Sequence, residues 1–128
     1  MENRIFENEE TEPRFKLRAV VEDGRTWFVA QDVATAAGWS ATIGRPTPAR
    51  DLAGRYKTAK KIEQVSELDG RSYIAEVLCL TPQGVVALTK KIQKLICYEQ
   101  TKLFLKWFRK KVLPLVADDK EDDEEAED

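Results

Sequence analysis

The chain has 128 residues, 42% apolar and 34% charged, with a formal net charge of −2, which is enough for one domain with a single modest core. It holds no histidine and only two cysteines, so neither a structural zinc site nor imidazole-driven acid–base or thiol chemistry fits it. No apolar run approaches the ~20 residues that span a bilayer, and no secretory-leader pattern is present.

The small net charge conceals a segregation. Residues 1–12 hold five acids and one base, and residues 118–128 hold nine acids and one base. Between them, residues 13–117 carry nineteen bases against nine acids, a net of +10. The expected organisation is an acidic flexible arm over 1–12, a folded domain over 13–117 and an acidic disordered tail over 118–128. A basic globule between acidic arms points to a polyanionic partner.

In chain order, Phe15–Glu22 alternates Phe15, Leu17, Ala19 and Val21 against Lys16, Arg18, Val20 and Glu22, the period of a half-buried strand. Asp23-Gly24 suits a tight hairpin turn, and RTWFVA forms the returning strand. A short helix then begins near Asp32, which is expected to cap it. Val33, Ala34 and Ala37 make its apolar face, and Gly38 suits a left-handed stop.

From Ser40 to Arg55, Gly44, Pro46, Pro48 and Gly54 break any long element. YKTAKKIEQV reads as a strand, Asp69-Gly70 as a second turn, and the next strand sets Tyr73, Ala75, Val77 and Cys79 on one face. Thr81 and Pro82 form a helix start as N-cap and first helical residue. A final helix over about Leu95–Leu113 has a stripe of Phe104, Leu105, Phe108 and Val112, and Pro114 is expected to end it. Cys79 and Cys97 lie in apolar segments and read as reduced core residues. The fold class is α+β: small antiparallel hairpins packed with short helices and a longer C-terminal amphipathic helix.

Three stretches, WFVAQDVATAAGW, LTPQGVVALTKK and FLKWFRKKVLPLV, occur in that order. Together they resemble the Bro-N domain, found in baculovirus repeated-open-reading-frame proteins and at the N-termini of phage antirepressors. The matching positions are Phe28, Val29, Ala30, Asp32, Val33, Ala34, Gly38 and Trp39, then Thr81 and Gly84, then Trp107, Val112, Leu113 and Pro114. The resemblance spans about Phe15–Val116 and implies DNA binding and transcriptional or lysogeny control. It implies phage or viral origin, and hence a host bacterial cytoplasm.

The residues most suited to phosphate contact are Arg45, Arg50, Arg55, Lys57, Lys60 and Lys61, with Tyr56 interleaved. Lys90, Lys91 and Lys94, and then Lys102, Lys106, Arg109 and Lys110, make a second basic face, for which an ordinary solvated surface is the preferred reading. No catalytic group, metal site or cofactor is expected. DNA is the expected partner. The alternatives are an antirepressor-like protein that inactivates a repressor or other protein, and an assembly module that forms a homo-oligomer.

Overall fold

A computed structural model describes residues 2–8, 14–39, 48–66, 68–96 and 99–116. Strands β1 (Glu2–Glu7), β2 (Lys16–Glu22), β3 (Arg25–Val29), β4 (Lys57–Val65) and β5 (Ser72–Leu80) form one antiparallel sheet in the order β1-β2-β3-β5-β4. Helix α1 (Ala30–Ala36) follows β3, and α2 (Pro82–Ile96) follows β5. Helix α3 (Glu99–Trp107), a π turn (Phe108–Val112) and α4 (Leu113–Val116) run on as one helical stretch. The architecture is α+β, as the sequence pattern predicts.

Alternation along the strands divides the sheet into two faces. Leu17, Ala19, Phe28 and Leu80 face the helices and join Val33, Val85, Leu88, Ile92, Phe104, Phe108 and Val112 in the main core. The opposite face holds a smaller cluster of Val20, Val29, Ile62 and Cys79, with Trp27 and Val77 packed against it. Aromatic rings join the last helical stretch to the sheet. Phe104 meets Phe15 edge-on at 5.4 Å between centroids, and Phe108 meets Phe28 edge-on at 5.3 Å, geometries that match the ring quadrupoles.

Four expectations need correction. The acidic N-terminal segment is not a loose arm over Glu2–Glu7, because β1 pairs there from Glu2↔Val21 to Glu7↔Lys16. Phe6 drives this: it is buried against Phe28 at 5.4 Å, while Glu7 lies 3.9 Å from both Arg14 and Lys16. Asn8 closes the end of this pair, accepting at Oδ1 from the Phe15 N–H at 3.0 Å.

Asp32 is not an N-cap. It sits in the first turn of α1, whose cap position, Val29, makes no side-chain bond. The Asp32 carboxylate instead accepts from Arg18 three times: from the main-chain N–H at 2.9 Å, from Nε at 2.8 Å and from Nη2 at 2.9 Å. A bidentate guanidinium fork is a stronger partner than the helix's own amides.

The last helix begins at Glu99, not near Leu95, which belongs to α2. Nor does Pro114 end it, since the helix continues to Val116. The Leu113 N–H bonds back five residues to the Phe108 carbonyl, one residue before a proline that has no N–H to donate. The wider turn meets the proline's missing donor without ending the helix.

Other local readings hold. Asp23 (φ 55°) and Gly24 (φ 77°) are both left-handed, as a two-residue hairpin turn requires. Thr81 Oγ1 accepts from the Gly84 N–H at 3.0 Å, which makes it the N-cap of α2. Gly38 (φ 99°) ends α1, with the Gly38 N–H bonded to the Thr35 carbonyl and the Trp39 N–H to the Ala34 carbonyl. That pair of bonds is the Schellman arrangement. Among the described residues, no helix is long and apolar enough to cross a membrane.

Candidate nucleic-acid interface

Charge is unevenly distributed over the elements. The β4–β5 hairpin, residues 57–80, carries four bases and four acids. Residues 82–116, the two C-terminal helices, carry eight bases and the single acid Glu99. Seven of the ten net positive charges of residues 13–117 therefore lie on the helical layer.

Among the described residues, the bases of β4 do not share one face. Arg45 lies outside the described residues, as does the Arg50 side chain, although its backbone belongs to a 3₁₀ turn over Pro48–Asp51. Arg55 is exposed; its guanidinium lies 4.7 Å from the centroid of the Tyr56 ring and donates to Tyr56 Oη at 3.0 Å. Along β4 the side chains alternate. Lys57 and Lys61 point to the helix-bearing face, where Lys57 is opposite Leu80 and Lys61 opposite Glu76. Lys60 points the other way, with Nζ 2.6 Å from Glu22 Oε1 and 5.1 Å from the centroid of Trp27. That ammonium pulls the Glu22 carboxyl below its ordinary range, chiefly through the hydrogen bond. Lys60 is thus committed to structure.

The last helical stretch does gather its bases. Lys102, Lys106, Arg109 and Lys110 line an open groove of about 350 Å³, together with Leu105 and with Gln93 from α2. All four cations are exposed. On α2, Lys90 lies about one turn before Gln93 on the same face and Lys94 follows Gln93 in the chain; Lys90 and Lys91 are half-buried and Lys94 is exposed. Lys111, which the sequence reading passed over, is also exposed, within the π turn. The signal was present in the run RKK, but a strict helical period assigns Lys111 to no stripe.

Packing explains why these bases face outward. Phe104, Phe108 and Val112 are fully or almost fully buried, and their spacing of four leaves the intervening positions to solvent. Lys102, Lys106 and Lys110 are then also four apart, and like charges at that spacing cost the helix about 0.2–0.5 kcal/mol per pair. An arriving anion relieves the repulsion.

No protein-family model, curated protein or solved structure matches this chain. The positions that carry the Bro-N resemblance have structural roles here. Phe28, Val29, Ala30, Val33, Ala34, Trp39 and Val112 are buried, Gly38 and Thr81 shape helix ends, and none of them lines the groove. Cys79 is fully buried, and burial pushes its thiol up to about 11, which keeps it protonated and unreactive at neutral pH.

Proposed function

We propose that this chain is a small nucleic-acid-binding regulatory protein of phage or viral type that holds DNA by its phosphates. One observation carries the reading: seven of the ten net positive charges of the globule lie on its last two helices, and four of those cations surround one groove. The Bro-N-like motifs point the same way. Lys102, Lys106, Arg109 and Lys110 neutralise backbone phosphates, and this binding releases counterions whatever the base sequence. The interface is thus the helical groove, with Arg55 and Lys61 as peripheral contacts.

The test is a titration of labelled duplex at several salt concentrations. Log K is expected to fall linearly with log salt, with a slope of about −3.6 for four phosphates. Replacing Lys102 and Lys106 with Gln should flatten that slope by about 2. The same change at Lys57 and Lys61 should do less. Absence of binding at low salt overturns the proposal, and a greater loss from the β4 pair moves the interface to the hairpin.

A second reading, that the chain binds and inactivates another protein, is favoured by the hairpin tip. Val65, Leu68 and Ile74 there are 64%, 97% and 65% exposed, an unusual density of uncovered apolar side chains. A stoichiometric protein partner that survives nuclease treatment of a lysate pull-down would support it.

A further inference from the structure

Strand β4 is the outermost strand on its side of the sheet. It pairs with β5 from Lys57↔Leu80 to Val65↔Ser72, and among the described residues no strand lies along its other edge. Between Thr58 and Val65, every second residue turns its N–H and C=O groups outward along that edge. Strand β3 meets β5 only at Phe28↔Leu80 and Val29↔Cys79, so most of the ribbon extends past its neighbour. Ala59, Lys61, Glu63 and Val65 are all exposed, on one face of the ribbon.

Lysine on an edge strand usually prevents pairing. In β4 the outcome depends on the register. Two identical strands related by a two-fold axis pair residues that point to the same face, so the axis must pass at a residue. An axis at Lys61 sets that lysine against its own copy. An axis at Glu63 does the same with two carboxylates. The register between them, centred on Ile62, sets unlike charges together and opposes no like ones, whereas an axis at Lys60 sets Lys57 against Glu63 but Lys60 against its own copy.

We propose that β4 is a self-pairing edge, joining two copies of the chain antiparallel about an axis at Ile62. Lys61 of each copy then lies opposite Glu63 of the other, twice by symmetry, and Ala59 lies opposite Val65. Opposed unlike charges favour a cross-strand pair and like charges oppose it. Lys60 and Gln64 also face each other across the axis, on the other side of the sheet. Each is already held within its own chain, Lys60 by Glu22 and Gln64 by Arg18 at 2.9 Å, so the selection rests on Lys61 and Glu63. The surface lies on β4 and not on the helical groove, and it stands whether or not the groove binds DNA.

Sedimentation equilibrium of the full chain tests this directly. The wild type should dimerise reversibly. Lys61→Glu and Glu63→Lys should each weaken the dimer about tenfold or more, because each converts both cross-strand pairs to like charges. The double exchange K61E/E63K restores unlike pairs and should return the affinity to within about threefold of the wild type. Circular dichroism checks the fold of each variant. If a single variant fails to fold, the comparison of the double exchange with the wild type still decides. A wild type that stays monomeric at every concentration overturns the proposal and leaves the edge to a foreign strand. Single variants that dimerise as well as the wild type, or a double exchange as weak as the single changes, overturn it equally.

Discussion

An added Cβ on Gly84 would lie 2.8 Å from the Tyr56 carbonyl oxygen and 3.1 Å from the Tyr56 Cβ. That carbonyl also accepts the Thr81 N–H at 2.9 Å, so it cannot retreat without loss. Gly84→Ala gains helix propensity of ~1 kcal/mol but forces backbone apart at a cost of ~1–3 kcal/mol. The net should be a destabilisation of up to about 2 kcal/mol, read as a lower urea midpoint. A midpoint at or above that of the wild type would show that the loop before β4 yields freely. Glu22 gives a second prediction at this scale. Lys60 holds its carboxyl below the ordinary 4.5 in the folded chain, so as pH falls the unfolded chain takes up the proton first. The stabilisation is full above the ordinary value and fades as pH falls through the lower folded one. Glu22→Gln should therefore flatten the pH dependence of stability in that acid window, and an unchanged profile would mean the pair contributes nothing.

At the scale of elements, the π turn ties the position of the bases to a proline. Pro114 lacks the N–H that an α-helix would direct at the Lys110 carbonyl, and the five-residue bond from Leu113 to Phe108 precedes it. Pro114→Ala restores a donor and removes the reason for the wide turn. It should raise stability by on the order of 1 kcal/mol while shifting Arg109, Lys110 and Lys111 relative to Lys102. DNA affinity should then fall although the fold is firmer. Higher stability with unchanged affinity would separate the turn from the groove.

Elements whose signal is local were legible in the sequence: the β2–β3 hairpin with its Asp23-Gly24 turn, the Gly38 stop and the Thr81 cap. Those decided by distant partners were not. β1 has only Phe6 as an inward residue, too little for a period, and its acids dominate the composition. Asp32 offers a good cap from its sequence position, yet the decisive partner, Arg18, lies fourteen residues away on another strand. The basic groove was half legible. Its residues stood out as one stripe, but only the count of acids element by element ranks that stripe above the hairpin, where Glu63, Asp69 and Glu76 offset the lysines.

For the molecule as a whole, the charge of the acidic tail is opposite to that of the basic layer. Residues 118–128 carry a net −8, and their structure lies outside the described residues. Eleven residues span at most ~36–40 Å, whereas Val116 lies ~21 Å along the helix from Lys102. The tail thus begins within reach of every cation in the groove. A chain ending at Ala117 should bind duplex more tightly at low salt, with the advantage shrinking as salt screens the attraction. Equal affinities at all salt concentrations would leave the tail without a part in binding.

The ring contacts between sheet and helix also set a timetable for synthesis. Phe15 and Phe28 belong to the first quarter of the chain, and their partners Phe104 and Phe108 to the last. At ~5–20 residues per second, a translating ribosome needs about 4–15 s to travel from Phe28 to Phe104. During that interval the nascent meander has no aromatic cover and stays open to proteases. Chains arrested with Lys94 clear of the exit tunnel should be digested readily, and chains arrested with Val116 clear should resist. Resistance at the earlier arrest would show that α1 and α2 suffice to shield the sheet. Otherwise the protein matures in one late step, when its final helix emerges to cover strands made seconds before.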